Sequence, residues 1–275
     1  MFAGPGVAGA IRNQLSQVEN TVDAGTDGDN FMSAEEKAYR EAMKTVAQKE
    51  AKDWTLDEQK AAATDIAKNG TSSVVYAKAE AAMKAGTAWS VKLTNGQIVT
   101  YRIIGINHDD AADGSGKAGL TFESTIRAWP SQPMNSKNTN AGGWENSELR
   151  SRLNTGDLWA LLPSELQSKV KAVVKMTDNK GGGSAGTASA TTDKVFLLSS
   201  TEVWGDLDGD GTQYEYYAFK GVTASSHTGA ALGNVRWTRS VNPKSTWSFR
   251  YISSGGGVAG EWAKETTDAY PVWCF

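Results

Sequence analysis

The chain of 275 residues contains one cysteine, Cys274, and two histidines, His108 and His227. A lone thiol excludes an internal disulfide framework and any cysteine-rich zinc site. Flanked by Trp273 and Phe275, Cys274 reads as a small buried hydrophobe. Two isolated histidines cannot supply a Ser-His-Asp or Cys-His arrangement. The run His108-Asp109-Asp110 has no second ligand set at a recognisable spacing and reads as part of a solvated, turn-rich loop. No stretch approaches the roughly 18 apolar residues of a membrane span. The opening MFAGPGVAGAIRNQ lacks the basic start and long apolar run of a secretory signal. Basic excess is also missing. Lys and Arg total 28 against 31 Asp and Glu, a formal net charge of −3, which leaves no electrostatic footprint for nucleic acid or an anionic membrane. No paired acids, nucleophile with base, phosphate loop or metal set converges, so the chain reads as non-enzymatic.

What is present divides the chain in two. Of the 10 tryptophans only Trp54 precedes Trp89, which sets a domain boundary near 85–88: a helical segment over 1–86 and a second domain over 87–275. The first thirty residues are small and polar, with a weak helical spacing at Val7, Ile11, Leu15 and Val18. The segment Asp23–Asn30 resembles a calcium loop only superficially, because Ala34 stands where a bidentate Glu would close it. Ser33 with Glu36, and Thr55 with Glu58, are capping boxes that open helices, and a third helix over Ser73–Lys84 stops at Gly86. Their apolar stripes are narrow and Ala-rich, so they are expected to bury themselves on a partner.

From Trp89 the signals are those of short strands. Asn95-Gly96 between two apolar runs is a hairpin turn, and LTFES follows as a strand. Leu149 and Leu153 share the inner face of a short helix capped by Asn146 or Ser147. Pro163 reads as the first-turn proline of a second, which leads into the alternating strand VKAVVKMT. Residues 178–192, DNKGGGSAGTASATT, carry almost no large side chain and read as a mobile loop. The last forty residues thread Trp237, Trp247, Phe249, Tyr251, Trp262, Tyr270, Trp273 and Phe275 through Ser, Thr, Asn and Gly. The fold class is α+β.

One ion candidate stands out. Asp206, Asp208 and Asp210, with Gly211 after them, match the first half of an EF-hand-type loop, but position twelve is Tyr217 rather than Glu. The stretch is either a tight Asp/Gly turn or a structural calcium site completed from elsewhere in the fold.

WTRS at 237–240, the Gly-rich turn at 255–257 and the closing PVWCF resemble a family of C-type lectin-like domains. WENSELRSRLN at 144–154, LPSELQSKVKAVVKMT at 162–177, DKVFLLSSTEVWG at 193–205 and GTQYEYYA at 211–218 stand in that family's order. Such domains occur in phage tail proteins and in surface proteins of gut bacteria, and some are the variable proteins of diversity-generating retroelements. The resemblance implies small twisted antiparallel sheets with two short helices, and a binding face in the C-terminal stretch 236–275. On that face it points to Asn242, Lys244, Ser245, Thr246, Trp247, Phe249, Glu261, Trp262 and Lys264, with Trp247 and Trp262 as the pair expected to be exposed. Trp237, Arg239, Ile252, Pro271 and Phe275 are assigned to the scaffold. Aromatic side chains give contact area at low entropic cost, and Ser, Asn and Thr give adaptable hydrogen bonds. The implied function is receptor binding to a host cell-surface protein or glycan by a virion protein of a phage tail. A passive virion decoration and a bacterial surface adhesin component stand as alternatives. A homo-oligomer, most simply a trimer, with other virion proteins docking on the N-terminal segment, completes the expectation; no cofactor beyond the candidate calcium is called for.

Overall fold

The computed structural model describes residues 33–205 and 207–275, so the expected helix over Val7–Val18, the Asp23–Asn30 loop and Asp206 lie outside the described residues. The chain divides into two compact units, 1–45 and 46–275. Helix α1 (Ala34–Val46) lies in the first but for its last residue, and it starts where the Glu36 N–H donates to Ser33 Oγ at 3.1 Å.

The second unit opens with two helices. Helix α2 (Leu56–Asn69) carries the complete Thr55/Glu58 capping box, and α3 (Tyr76–Ala85) ends on Gly86 in the left-handed conformation at φ 68°. Both lie in the same unit as the sheet that follows, so the boundary read at 86/87 belongs at 45/46. The narrow Ala stripes that suggested an external partner are what lets α2 approach the sheet closely. Ala61, Ala62, Ala63 and Ile66 are buried, and a Cβ added at Gly119 would sit 1.8 Å from the Ala63 carbonyl oxygen. Tyr101 donates its hydroxyl to Gln59 Oε1 at 3.1 Å, and Trp89 donates its indole N–H to the Ala51 carbonyl at 3.1 Å.

The main sheet contains β1 (Ala88–Lys92), β2 (Ile98–Ile106), β3 (Leu120–Ser124), β6 (Val195–Phe196) and β10 (Val272–Cys274), in the order β1-β2-β3-β10-β6. The β1–β2 hairpin turns at Asn95-Gly96, as its sequence predicts, with Gly96 at φ 90°. The last strand enters the middle of the sheet between β3 and β6, with Trp273 opposite Phe122 and Val195. Trp89, Tyr101, Phe122, Trp273 and Phe275 form one aromatic cluster with centroids 5.0–6.2 Å apart. Burying each such ring contributes about 1.5–3 kcal/mol, so the C-terminus is part of the core.

Helices α4 (Glu148–Asn154, capped by Ser147), α5 (Asp157–Ala160) and α6 (Ser164–Gln167) follow β3. Pro163 is the residue before α6 rather than its first turn. Strand β4 (Val173–Asp178) pairs with β5 (Ala188–Asp193), so the two ends of the expected mobile loop, Asp178 and Ala188–Thr192, are strand; small side chains suffice there because β5 has only β4 to pair with. Helix α7 (Ser200–Trp204) has a Ser199/Glu202 capping box, and α8 (Glu215–Phe219) follows. A third sheet, β7 (Arg236–Val241), β8 (Ser248–Ile252) and β9 (Val258–Trp262), has β9 at its edge. The architecture is α+β with small antiparallel sheets. Among the described residues no helix is long and apolar enough to cross a membrane.

Candidate functional site

The turn between β7 and β8 is built by its own sequence. Asn242-Pro243-Lys244-Ser245 places Asn first and Pro second, the preference of a type I turn. Ser245 N–H donates to the Asn242 carbonyl at 3.0 Å, and Lys244 N–H donates to Asn242 Oδ1 at 3.1 Å. Ser245 Oγ accepts from the N–H groups of Trp247 and Ser248, both at 3.1 Å. These bonds leave Trp247 pointing off the turn. It meets Trp262 of β9 edge to face with centroids 6.2 Å apart, and the two residues are 51% and 46% exposed. Lys264 Nζ stands 5.9 Å from the Trp262 ring, and Glu261 accepts from the Trp262 N–H at 2.8 Å. Asn242, Lys244, Ser245, Thr246, Trp247, Glu261, Trp262 and Lys264 are all half-buried or exposed. Phe249 is not part of this surface. It pairs with Glu261 in the ladder and is fully buried, so its ring serves the core and the expectation for it is corrected.

Residues that the sequence did not single out hold this surface in place. Asn140, itself buried, donates through Nδ2 to the carbonyls of Ser245 and Ser248, both at 2.8 Å. Its backbone N–H reaches Thr246 O at 3.1 Å, and its Oδ1 accepts from Gly182 N–H at 2.9 Å. One amide therefore ties the 242–248 turn to the glycine loop at 181–183, and a Cβ on Gly183 would meet the Thr246 methyl at 2.9 Å. Nothing in the local sequence around Asn140 signals a partner 105 residues away.

The two described members of the Asp triplet are engaged in different ways. Asp208 takes Arg250 on both oxygens, at 3.1 and 3.2 Å, in the left-handed conformation at φ 61°. Asp210 is buried and accepts from Thr201 N–H and Oγ1 at 3.3 and 3.0 Å and from Ser240 Oγ at 2.5 Å. Burial pushes the Asp210 carboxyl up, against the pull of Arg239. Among the described residues no group of three His, Cys, Asp or Glu is placed to hold a metal ion.

The loop at 108–110, read as solvated, is the larger correction. Asp109 is buried, and it bonds to Lys175 at 2.5 Å, to Thr121 Oγ1 at 2.6 Å and to Tyr214 OH at 3.0 and 3.1 Å. Cys274, expected to be a plain hydrophobe, lies 3.3 Å from Asp109 Oδ2. Lys175 also reaches Glu202 at 2.5 Å, and Glu202 pairs with Arg239 through both guanidinium amines. Burial alone would push the Asp109 carboxyl up, but Lys175 and His108 outweigh it and hold it well below the usual carboxylate range. For Glu202, burial is likewise outweighed by Arg239 and then Lys175, and its pKa is lowered.

A groove of about 740 Å³ lies elsewhere, between residues 52–59 and β1, lined by Trp54, Trp89, Tyr101 and Glu165. Its aromatic walls are core residues, which gives the exposed indoles the stronger claim as a recognition surface.

A family model described as Domain of unknown function (DUF6273) matches residues 115–272, more than half of the chain. The chain belongs to the DUF6273 family. The matched span runs from just before β3 into β10 and so contains Asn140, the buried Lys175, Glu202 and Arg239, and both exposed tryptophans. No curated protein and no solved structure matches the chain.

Proposed function

We propose that this DUF6273 protein is a non-catalytic receptor-binding protein with a C-type lectin-like domain, and that the Trp247–Trp262 surface contacts a protein or glycan on a host cell. The observation that carries the reading is the pair of indoles, half exposed, in mutual contact at a sheet edge and mounted on a turn anchored by a buried amide. Large aromatics left in water beside one another mark interaction sites more often than scattered single ones. Lys244, Lys264, Asn242 and Ser245 around them supply donors of the kind that orient a polar ligand. The insertion of the C-terminal strand into the main sheet, with short helices at its margin, supports the lectin-like plan. A phage tail is the setting that the sequence resemblance favours, with a trimer supplying avidity from one weak site per chain.

The test is adsorption of the purified protein to intact cells of candidate hosts. Trp247→Ala combined with Trp262→Ala should abolish adsorption while melting temperature and light-scattering mass stay unchanged. A double variant that adsorbs like the wild type places recognition elsewhere. A wild-type protein that adsorbs to no host yet co-purifies with virions supports the passive decoration reading.

A further inference from the structure

The interior holds an arrangement with a chemistry of its own, independent of the recognition surface. Lys175 Nζ lies 2.5 Å from Asp109 Oδ1 and 2.5 Å from Glu202 Oε1, and the three side chains are 3%, 2% and 1% exposed. The amine is walled by the rings of Phe196 at 4.4 Å and Tyr214 at 5.2 Å. We infer that Lys175 and Asp109 condense to an intramolecular amide, with Glu202 relaying the protons.

Each part of such a reaction has a residue in place. The nucleophile and the carboxyl are fixed by packed elements, β4 and the loop after β2, so the entropy of bringing them together is already spent in folding. Thr121 Oγ1, Tyr214 OH and Cys274 Sγ aim at the Asp109 oxygens from 2.6 to 3.3 Å. Those donors would support the oxyanion of a tetrahedral adduct. In the step itself the Lys175 ammonium gives a proton to Glu202, and the free amine forms a bond to the Asp109 carboxyl carbon. The bond from that carbon to one oxygen then breaks. Two of the three ammonium protons end, through Glu202, on the departing oxygen, which leaves as water. Ammonium plus carboxylate gives amide plus water, and no oxidant, reductant or further reactant enters.

The charge balance favours the product. A fully buried ion pair carries the desolvation cost of both ions. The amide removes both charges and leaves Glu202 and Arg239 as a matched pair. Burial works against both charges, yet mutual attraction outweighs it and holds Asp109 low and Lys175 high, so the ion pair is the starting state and the amide forms after folding. The link would join positions 66 residues apart, tying the end of β2 to β4.

Intact mass of the denatured full-length chain decides the matter. The wild type, after prolonged incubation at neutral pH, should be lighter than its sequence by one water, and digestion should yield joined peptides carrying Asp109 and Lys175. Lys175→Arg should have its full sequence mass. A wild type at full mass overturns the inference. So does a water loss that persists in Lys175→Arg or maps to an Asp-Gly pair such as Asp113-Gly114, where a succinimide forms instead.

Discussion

Gly119 faces the Ala63 carbonyl so closely that any Cβ there would have to displace helix α2 from the sheet, the ideal position being 1.8 Å from the oxygen. The obstacle is backbone, which cannot swing aside as a flexible side chain can. Gly119→Ala should therefore destabilise the fold by about 1–3 kcal/mol through overpacking. Thermal melting of the two proteins checks it; equal melting temperatures would mean that α2 does not press on β3.

The same contact governs where the chain can be shortened. A chain beginning at Gly86 loses α2 and α3, and with them the cover over Trp89, Tyr101 and Gly119. It is expected to lose its cooperative melt and to show red-shifted tryptophan emission. A chain beginning at Val46 keeps the compact unit and should melt cooperatively.

Asn140→Ala removes the side-chain amide that donates to the carbonyls of Ser245 and Ser248. The Ser248 carbonyl keeps the Asn242 N–H at 2.9 Å, and the loss at the Ser245 carbonyl costs about 1–3 kcal/mol. Because the freed turn carries Trp247, cell adsorption should weaken by more than the loss in stability alone explains. Comparing adsorption at a temperature where both proteins are fully folded separates the two effects.

His108 offers a pH test with one interpretable group. Burial lowers its pKa, but the hydrogen bond to Glu215 at 3.1 Å and the charge of Asp109 outweigh this, and the folded value lies above the ordinary 6.5. A raised folded pKa stabilises the protonated form. The contribution is complete below about 6.5 and is lost as pH rises through the folded value. Melting temperature should fall from roughly pH 6 to pH 8, and the fall should vanish in His108→Gln, since this change in charge is centred on histidine.

Much of the local structure was legible because short-range rules decide it. Capping at Thr55 and Ser147, the Asn95-Gly96 hairpin and the stop at Gly86 each depend on residues within one turn. Trp247 and Trp262 were separable from the other aromatics because polar and charged neighbours bracket them. Phe249 was not, since strand alternation and the sheet's packing, rather than composition, turn it inward.

By itself the sequence determined the α+β class, the helix ends, the turns and the pair of tryptophans left in water, all matters of propensity, periodicity and neighbouring polarity. Tertiary structure alone decided that α2 and α3 belong to the sheet domain. It also decided that Asn140 holds the 242–248 turn, and that Asp109, Lys175, Glu202 and Arg239 meet in the buried interior. Those pairings join residues up to 105 positions apart. A buried charge is tolerated only when its partner arrives from a distant strand, and a one-dimensional pattern carries no record of which strand that will be.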